Sequence, residues 1–452
     1  MISLKARYHT LNNASVKTEK DYVLYWLQST QRVDFNYGLS LAIEYANRYH
    51  LPLKVLYIVT PSYPDANRRH YWFMFEGLKR LSQDVEALNS LFCVEVGEFV
   101  ETITPHLSDA AFMVMDYGYL NHQKAFRETL QKKANTLNLG LVSVESDVIV
   151  PVGVAESKCT YSARTIRPKL LKQVDAFLEK PRLEKVKRRL KDQPSSIDIN
   201  ALNDALDITS NVERTKYFTG GRDEGIRRLN VFLDHGLKDY PKSNDPSTKL
   251  TSYLSPYLHF GMIAPHEVYL EVSAYSDQYR EAVESFLEQL LVRRELAFNF
   301  VHYCQGYDQF DAMTYDWAYQ TMELHLEDER EYIYTFSELE NAKTHDPYFN
   351  AAMMEMVKTG YMHNYMRMYW GKKIIEWSQD YKTAYMTIMT LNNRYFLDGR
   401  DPNSYASVAW LFGRHDRAWT ERAIFGKLRY MNANGLKRKF AIDDYVDYVN
   451  KL

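Results

Sequence analysis

The stretch "YVLYWLQSTQRV", residues 22–33, decides the fold class of the first part of the chain. It opens with the apolar run "YVLYW", residues 22–26, and such a short run is typical of a strand that is buried on both faces. Runs of the same kind recur at residues 53–59, 91–96, 111–115 and 141–145. Amphipathic segments lie between them, at residues 37–49, 69–88 and 121–137. Strands that alternate with helices predict a parallel, doubly wound sheet.

The residues that follow the first predicted strand exclude the usual nucleotide loop. "QSTQR" stands where a dinucleotide-binding fold carries G-x-G-x-x-G, and neither that pattern nor G-x-x-x-x-G-K-[ST] occurs anywhere in the chain. The predicted sheet is therefore either purely structural or holds another kind of ligand.

Composition bounds the class of protein. The chain has 452 residues, 46% of them apolar, which is enough for two or three globular domains. A net charge of −2 argues against a wholly basic nucleic-acid binder but permits a local positive groove. The three cysteines, Cys93, Cys159 and Cys304, are too far apart for a C-x-x-C metal site and suit a reducing compartment. With no apolar stretch of membrane-spanning length, we predict a cytoplasmic monomer, nucleoid-associated if prokaryotic, with no membrane partner.

The amino-acid composition changes in the second half of the chain. "KPRLEKVKRRLKDQPSS" predicts a solvated helix and a linker, and helical patterns dominate beyond residue 212. In "TSYLSPYLHFG", Ser255 is expected as the N-cap of a helix, Pro256 at its first position and Gly261 at its end. Strong helices are predicted at residues 285–301 and 361–377. We therefore expect an α/β domain at 1–155, a linker at 156–215 and an all-helical domain at 216–452.

Two tryptophans in the predicted helix 361–377 are candidate functional residues. Trp370 and Trp377 are seven residues apart, which places them on nearly the same face with about 10 Å of rise between them. They are either two core anchors or an electron relay. Arg367, on the same side, requires an anion, which a carboxylate or a phosphorylated cofactor could supply.

The stretch "RYFLDGRDPNSYASVAW", residues 394–410, reads as a loop inside the helical domain. Asp398 and Asp401 lie on its Gly/Pro turn, and three interpretations are open. The loop is a capped surface turn, or its aspartates pair with Arg367 or Arg400 to frame a polar heterocycle, or they bind a metal. No His accompanies the carboxylates at ligand spacing, so we predict no metal.

Several motifs together resemble one family. They are "TSYLSPYLHFG", "VRREL", "THDPYFNAA", "MHNYMRMYWGKKIIEW", "LNNRYFLDGRDPNSYASVAW" and "GRHDRAWTERAIFGKLRYMNANGLKRKF", with weaker matches in "YSARTIRPK" and "YWLQSTQRV". In this order they resemble the class II cyclobutane-pyrimidine-dimer photolyases of the photolyase–cryptochrome family. The resemblance is dense from about residue 250 to 440.

The resemblance implies FAD in the helical domain and UV-damaged DNA as the partner. Such an enzyme is a carbon–carbon lyase in which reduced flavin, excited by light, passes an electron to a pyrimidine dimer flipped out of the duplex. It implies cofactor contacts from Tyr240, Thr251, Ser252, Leu254, Ser255, Arg367, Asn392, Asp398 and Asp401. Asn392 would also meet flavin N5, Trp370 and Trp377 would form a photoreduction chain, and Met368 and Trp410 would face the lesion.

Basic residues near the C-terminus would track DNA phosphates: Arg429, Lys437, Arg438 and Lys439. Without the family they read as a solvated charged face. Three departures from the family pattern are visible. Phe349 replaces a relay tryptophan, and Gln289 replaces one of two adjacent glutamates, so the carboxylate expected at the dimer is Glu288 or is lost. The N-terminal "QSTQR" and "GYLNHQ" leave open whether an antenna chromophore of the deazaflavin or folate type binds.

Phe349 and Gln289 motivate an alternative function, a non-catalytic blue-light photosensor of the cryptochrome type that keeps FAD. A helical nucleic-acid-binding module without cofactor is the third alternative, and it leaves the loop at 394–410 without a role.

Overall fold

A six-stranded sheet forms the centre of the first domain in a computed structural model that describes residues 2–192, 195, 197–206, 208 and 212–452. The strands are β1 (Tyr8–Thr10), β2 (Tyr22–Leu27), β3 (Leu53–Val59), β4 (Leu91–Val96), β5 (Ala110–Asp116) and β6 (Leu141–Val144). Their order is β1-β6-β5-β2-β3-β4, and every pair is parallel except β1 with β6. The parallel sheet and all five predicted strands are confirmed, with ends within one residue. The short edge strand β1 was not predicted, because three half-exposed residues form no apolar run.

Helices cover both faces of this sheet, which is why β2 is buried along its whole length. They are α1 (Ile2–Lys5), α2 (Tyr37–Arg48), α3 (Arg68–Glu76), α4 (Leu78–Ala87), α5 (Phe99–Asp109), α6 (Asn121–Thr136) and α7 (Val152–Ala155). The helix predicted at 69–88 is divided in two at Gly77, whose N–H bonds to the Met74 carbonyl three residues back. A Cβ at Gly77 would come within 3.1 Å of the Gly221 Cα, so the close approach of that segment needs glycine there.

The predicted linker contains α8 (Ala163–Gln173) and α9 (Ile199–Ala205). The helix expected in its charged stretch is absent from residues 178–192, which run extended along the α/β domain. Val186 N donates to the Leu88 carbonyl at 2.9 Å, and Lys187 N donates to Asn47 Oδ1 at 2.8 Å. These bonds replace the bonds that a helix would supply. The division of the chain at residues 155 and 215 stays a proposal.

The remaining chain is helical. Its helices are α10 (Arg222–His235), α11 (Ser255–His259), α12 (Pro265–Ser273), α13 (Arg280–Leu287), α14 (Arg294–Tyr303), α15 (Asp316–Leu324), α16 (Phe336–Glu340), α17 (Pro347–Thr359), α18 (Asn364–Trp377), α19 (Tyr381–Tyr395), α20 (Pro402–Leu411), α21 (Ala433–Lys439) and α22 (Ile442–Asn450). The helix predicted at 285–301 is interrupted by a π-helical turn, Glu288–Arg293, and the one predicted at 361–377 begins at Asn364. None of the described helices is long and apolar enough to cross a membrane.

The "QSTQR" segment joins the two domains. Ser29 N and Gln28 N both donate to Asp116 Oδ2 at 2.9 Å, which holds the turn after β2. Arg32 Nη1 donates to the Gly261 carbonyl at 2.9 Å. Gly261 has a φ of +64°, and a Cβ there would lie 1.8 Å from the Ser29 carbonyl oxygen. The carboxyl edge of the sheet is therefore a docking surface for the helical domain.

A second junction lies at the start of α3. Arg69 is 3% exposed, and its guanidinium donates to four backbone carbonyls, those of Glu213, Met356, Val357 and Tyr395. Three of these carbonyls belong to the last turns of α17 and α19. That of Met356 also accepts a bond from Gly360 N at 2.9 Å, whereas those of Val357 and Tyr395 accept no backbone bond among the described residues. The α/β domain thus supplies hydrogen bonds that two helices of the other domain require.

Candidate functional site

The loop expected at 394–410 is shorter in the structure. Helix α19 ends at Tyr395 and α20 begins at Pro402, so the loop comprises residues 396–401 and is here named the Asp398 loop. Asp401 caps α20 by accepting a bond from Asn403 N at 2.8 Å, and Pro402 occupies the first turn. Trp410 consequently lies in the last turn of a helix and not on the loop.

Arg367 and Asp398 form a bidentate ion pair. Nη1 and Nη2 of Arg367 each lie 3.0 Å from a carboxylate oxygen of Asp398, and Nε donates to the Met362 carbonyl at 2.9 Å. The guanidinium carbon lies 3.9 Å from the ring centroid of Phe396. All three guanidinium nitrogens are engaged, so the pair holds the Asp398 loop against α18.

Other predicted residues surround this pair. Trp370 is buried, with its ring centroid 6.4 Å from that of Phe396, and its indole Nε1 finds no partner among the described residues. On the other side of Arg367, the ring of Tyr361 lies 5.5 Å away and its hydroxyl donates to Thr251 Oγ1 at 3.2 Å. We name Thr251, Tyr361, Arg367, Trp370, Phe396 and Asp398 the inner cluster. Asn392 lies buried on α19, one turn before Phe396, with Nδ2 bonded to Asn393 Oδ1.

The segment after Thr251 leads into α11. Ser252 and Ser255 are half-buried and Leu254 is buried. The expected N-cap at Ser255 is wrong: Ser255 is the first helical residue, Leu254 takes the N-cap position, and no side chain caps this end. The first N–H groups of the helix therefore stay available. Tyr240 packs its ring edge-on against Phe232 and Phe286, so its body belongs to the core.

Asp401 was expected among the cofactor residues, and the structure engages it elsewhere. Its Oδ2 lies 2.9 Å from His259 Nδ1, while Oδ1 caps α20. Burial raises the pKa of Asp401, but the bond and charge of His259 outweigh burial and lower it. Asp401 therefore ties α11 to α20. Arg400 pairs with neither aspartate, and its buried Nε and Nη2 find no partner in the described ranges.

The predicted relay continues from Trp370 along α18. Trp377 is buried and meets the ring of Phe349 edge-on at 5.3 Å, so phenylalanine occupies the position beside it. Tyr334 contacts Trp377 at 5.4 Å. Tyr348, the neighbour of Phe349, instead donates its hydroxyl to Asp443 at 2.8 Å.

A second cluster surrounds Trp410, which is half-buried. The guanidinium carbon of Arg429 lies 5.2 Å from the Trp410 ring and 4.1 Å from that of Trp419. Arg429 also pairs with Asp416 at 2.9 and 3.2 Å. We name these four residues the outer cluster. Trp419, which is 37% exposed, was missed, because a lone aromatic in an irregular segment carries no pattern.

Lys372 was missed as well, because a lysine in a predicted helix reads as solvated. It is fully buried, and its Nζ donates to the Leu411 carbonyl at the end of α20. Burial lowers the pKa of Lys372 to about 7. The amine lies 5.8 Å from the Trp410 ring. It joins α18, which carries the inner cluster, to the helix that carries Trp410.

Glu288 is not a free carboxylate. Arg167 of α8 binds it with two bonds, at 2.7 and 2.8 Å, and Arg293 adds a third at 3.2 Å. Gln289 is exposed on the same π-helical turn. Glu288 is thus paired with two arginines, and its expected place at the lesion stays a prediction. Met368 is half-buried on α18, between Arg367 and Trp370.

The basic C-terminal residues are Lys437, Arg438 and Lys439, exposed in the last turn of α21. Cations at a helix C-terminus are favoured by the helix dipole. Lys439 Nζ also donates to Tyr365 Oη at 3.0 Å. No group of three or more His, Cys, Asp or Glu residues within the described ranges could hold a metal ion.

Comparison with known proteins identifies the family. Residues 23–187 match the family described as DNA photolyase. The deoxyribodipyrimidine photo-lyase of Methanothermobacter thermautotrophicus is 43% identical over 99% of this chain and 98% of that protein. Proteins of the same name from Arabidopsis thaliana and Potorous tridactylus are 37% and 36% identical, over 95% and 93% of this chain and 89% and 80% of theirs. The chain therefore belongs to the photolyase–cryptochrome family.

Solved structures agree on the fold. A bacterial class III photolyase from Agrobacterium tumefaciens superposes with a TM-score of 0.76 at 20% identity, covering 96% of this chain and 87% of that one. A cryptochrome from Synechocystis sp. PCC6803 gives a TM-score of 0.74 at 15% identity, covering 95% and 88%. At these identities the likeness concerns the fold alone.

Proposed function

We propose that this chain is a class II deoxyribodipyrimidine photo-lyase, which uses light and FAD to repair cyclobutane pyrimidine dimers in DNA. The observation that carries the proposal is the pairing of Arg367 with Asp398 beside Trp370, in a chain that is 36–43% identical to enzymes of that name over nearly its full length. The class II assignment rests on the motif set between residues 250 and 440.

The residues of the inner cluster fit FAD. The hydroxyls of Thr251, Ser252 and Ser255 accompany uncapped N–H groups at the start of α11, a set that suits a diphosphate. The buried Trp370 Nε1–H is a hydrogen-bond donor without a partner among the described residues, so it can bond to the cofactor. Arg367 and Asp398 would orient a flat heterocycle, and the Asn392 amide would serve a ring nitrogen as donor or acceptor. When bound, FAD supplies the absorption of blue light and the electron that splits the dimer.

The outer cluster would receive the lesion. Trp410 offers a half-exposed indole on which a flipped base can stack. Lys372 holds the end of its helix, so the ring is fixed before the substrate arrives. Arg429 uses Nε and Nη2 on Asp416, and its Nη1 stays free for a phosphate. Lys437, Arg438 and Lys439 would add non-specific attraction to the backbone. Met368 would meet the lesion from α18.

One experiment tests the function. Purified, chemically reduced protein is mixed with UV-irradiated oligothymidine, and the base absorbance is followed under blue light and in the dark. We expect light-dependent recovery of absorbance. A flavin-containing protein that leaves the dimers intact would favour the photosensor, and a protein without flavin would contradict both functions.

Phe349 is the observation that favours the photosensor, because phenylalanine is much harder to oxidise than tryptophan and it occupies the place beside Trp377. The Phe349→Trp variant separates relay from repair. We expect faster photoreduction of oxidised flavin in the variant, while repair by protein that is already reduced stays unchanged. Equal photoreduction rates would mean that another donor, such as Tyr334, already serves Trp377. Whether a deazaflavin or folate antenna binds is a separate question, answered by the absorption spectrum of the purified protein.

A further inference from the structure

Arg414 lacks a carboxylate partner. It is 7% exposed, three residues past α20, and forms no ion pair with an Asp or Glu of the described chain. Aromatic rings flank it, Phe300 at 4.8 Å and Tyr315 at 4.5 Å, and its Nε has no acceptor within the described ranges. Its Nη2 donates to a sulfur, Cys159 Sγ, at 2.7 Å. A buried guanidinium needs a counter-anion, and a thiolate shared between Cys159 and the cysteine beside it can provide the charge.

The second thiol lies beside the first. Cys304 caps the end of α14, and its thiol is close enough to that of Cys159 for the two to influence each other's pKa. The interaction with Cys159 lowers the pKa of Cys304 to about 6, with help from the charge of Arg414, and the same interaction raises the pKa of Cys159. Cys304 Sγ also donates a long, weak hydrogen bond to the Gln305 carbonyl at 3.8 Å. The neighbouring thiol and the charge of Arg414 thus both favour the thiolate form of Cys304.

The surrounding chain holds both sulfurs in place. The carbonyl of Tyr161 accepts bonds from the Tyr315 hydroxyl at 2.7 Å and from His415 Nδ1 at 2.8 Å. These bonds fix the segment that contains Cys159 on the same residues that flank Arg414. Both cysteines are half-buried, so a small reagent can reach them and a protein cannot easily do so.

We propose that Cys159 and Cys304 form a reactive dithiol, activated by Arg414, that hydroperoxides oxidise to a disulfide. The Cys304 thiolate attacks one peroxide oxygen, the O–O bond breaks, and the released hydroxide takes a proton to leave as water. The Cys159 sulfur then attacks the resulting sulfenic acid, the S–O bond breaks, and a second water leaves with the Cys159 proton. Two thiols and one hydrogen peroxide thus give one disulfide and two waters.

The third cysteine is an internal control. Cys93 is buried in β4, and burial raises its pKa. It has neither a thiol nor an arginine beside it among its described contacts, so it should stay reduced. Oxidation also removes the negative charge that balances Arg414, four residues past Trp410, so the two redox forms differ in charge close to the outer cluster.

The experiment uses the full chain and a small excess of hydrogen peroxide at pH 7. We expect free thiols to fall from three to one, and non-reducing peptide mapping to find Cys159 linked to Cys304. In Cys159→Ala, Cys304 should stop at sulfenic acid, which dimedone traps. Its alkylation at pH 7 should slow by up to roughly 30-fold as its pKa returns toward about 8.5.

A matched pair of variants tests the role of the arginine. Arg414→Gln should slow both alkylation and oxidation of Cys304, whereas Arg417→Gln, which changes an exposed arginine of the same segment, should not. Peroxide that leaves three thiols, or that oxidises Cys93 as fast as Cys304, would overturn the proposal. An unchanged rate in a folded Arg414→Gln variant would overturn the activation by Arg414. If that variant does not fold, the pH dependence of Cys304 alkylation in the unmodified protein decides, with a midpoint near 6 expected.

Discussion

Two arginine–aspartate pairs, Arg367–Asp398 and Arg429–Asp416, are both bidentate but differ in geometry: Arg367 binds through Nη1 and Nη2, and Arg429 through Nε and Nη2. Each arginine also lies over an aromatic ring, Phe396 at 3.9 Å in the inner cluster and Trp419 at 4.1 Å in the outer one. The inner guanidinium uses all three nitrogens on the protein. The outer guanidinium uses two, and Nη1 makes no bond with the described residues. The inner pair is a fixed part of the structure, and the outer pair keeps a donor for a ligand.

What an ion pair can do depends on which of its hydrogen-bond donors it leaves unused. A fully satisfied pair positions something else, here the Asp398 loop, and its loss leaves an uncompensated charge. The outer pair is about as buried as the inner one, with side chains 35% and 9% exposed against 24% and 10%, so the unused Nη1 and not the burial distinguishes it. Four variants test this difference, in order of expected effect.

Asp398→Asn should have the largest effect. Breaking this partly buried pair leaves Arg367 without its counter-charge, so we expect FAD affinity to fall by roughly 100-fold. The measurement is the flavin-to-protein ratio after dialysis, with circular dichroism to verify the fold. Arg367→Gln should behave in the same way. A normal flavin content in either variant would remove the inner pair from cofactor binding.

Trp410→Ala should weaken binding to dimer-containing DNA. A stacked base is worth about 1–3 kcal/mol, which corresponds to roughly 10- to 100-fold in dissociation constant. Fluorescence anisotropy with damaged and undamaged oligonucleotides measures it, and flavin content should not change. Trp419→Ala is the matched control, with a smaller effect that is equal on both DNAs. Equal losses in the two variants would contradict a specific role for Trp410.

Replacement of Lys437, Arg438 and Lys439 by Gln should alter the salt dependence of binding more than its specificity. Each lost phosphate contact reduces the slope of log K against log salt by about 0.9. The titration is repeated between low and physiological salt. Lys17→Gln with Lys20→Gln, at the amino edge of the sheet and away from the helical domain, is the control and should leave the slope unchanged.

Asp416→Asn should have the smallest effect, and of opposite sign to the first. With the carboxylate neutralised, Arg429 gains charge toward the backbone, so we expect a few-fold tighter binding to any DNA and a slope steeper by up to about 0.9. Flavin content should equal that of the unmodified protein. A loss of flavin here would mean that the two pairs are not separate.

The features that the sequence predicts correctly are those that follow a local pattern. The five parallel strands follow from apolar runs whose limits side-chain burial imposes, and the Arg367–Trp370 spacing follows from helix periodicity. The helix predicted in the charged linker is absent, because the backbone of this segment bonds to α2 and to the end of α4 instead. The N-cap predicted at Ser255 was wrong by one position, because Leu254 is the N-cap. The length of the Asp398 loop was overestimated. Asp401 and Pro402 begin helix α20, but next to Gly399 the same residues also indicate a turn.

Contacts between distant parts of the chain could not be predicted. Arg414 and Cys159 are 255 residues apart, and neither belongs to a motif that suggests the other. Asp401 was expected beside an arginine and meets His259, 142 residues away, because α11 and α20 pack together. Glu288 was expected at the dimer or not used, and its two bonds to Arg167, 121 residues earlier, were not predicted. Pairings of this kind depend on packing, which periodicity does not describe.

Arg69 has a consequence for any attempt to produce the helical domain alone. A fragment without the α/β domain would lose the guanidinium that satisfies the last turns of α17 and α19, together with His70, whose Nε2 lies 3.1 Å from the Phe396 carbonyl. The loop that holds Arg367 would then be released at its first residue. The α/β domain contributes no residue to the inner cluster, yet its hydrogen bonds hold in place the helix ends and the loop that form the proposed flavin site.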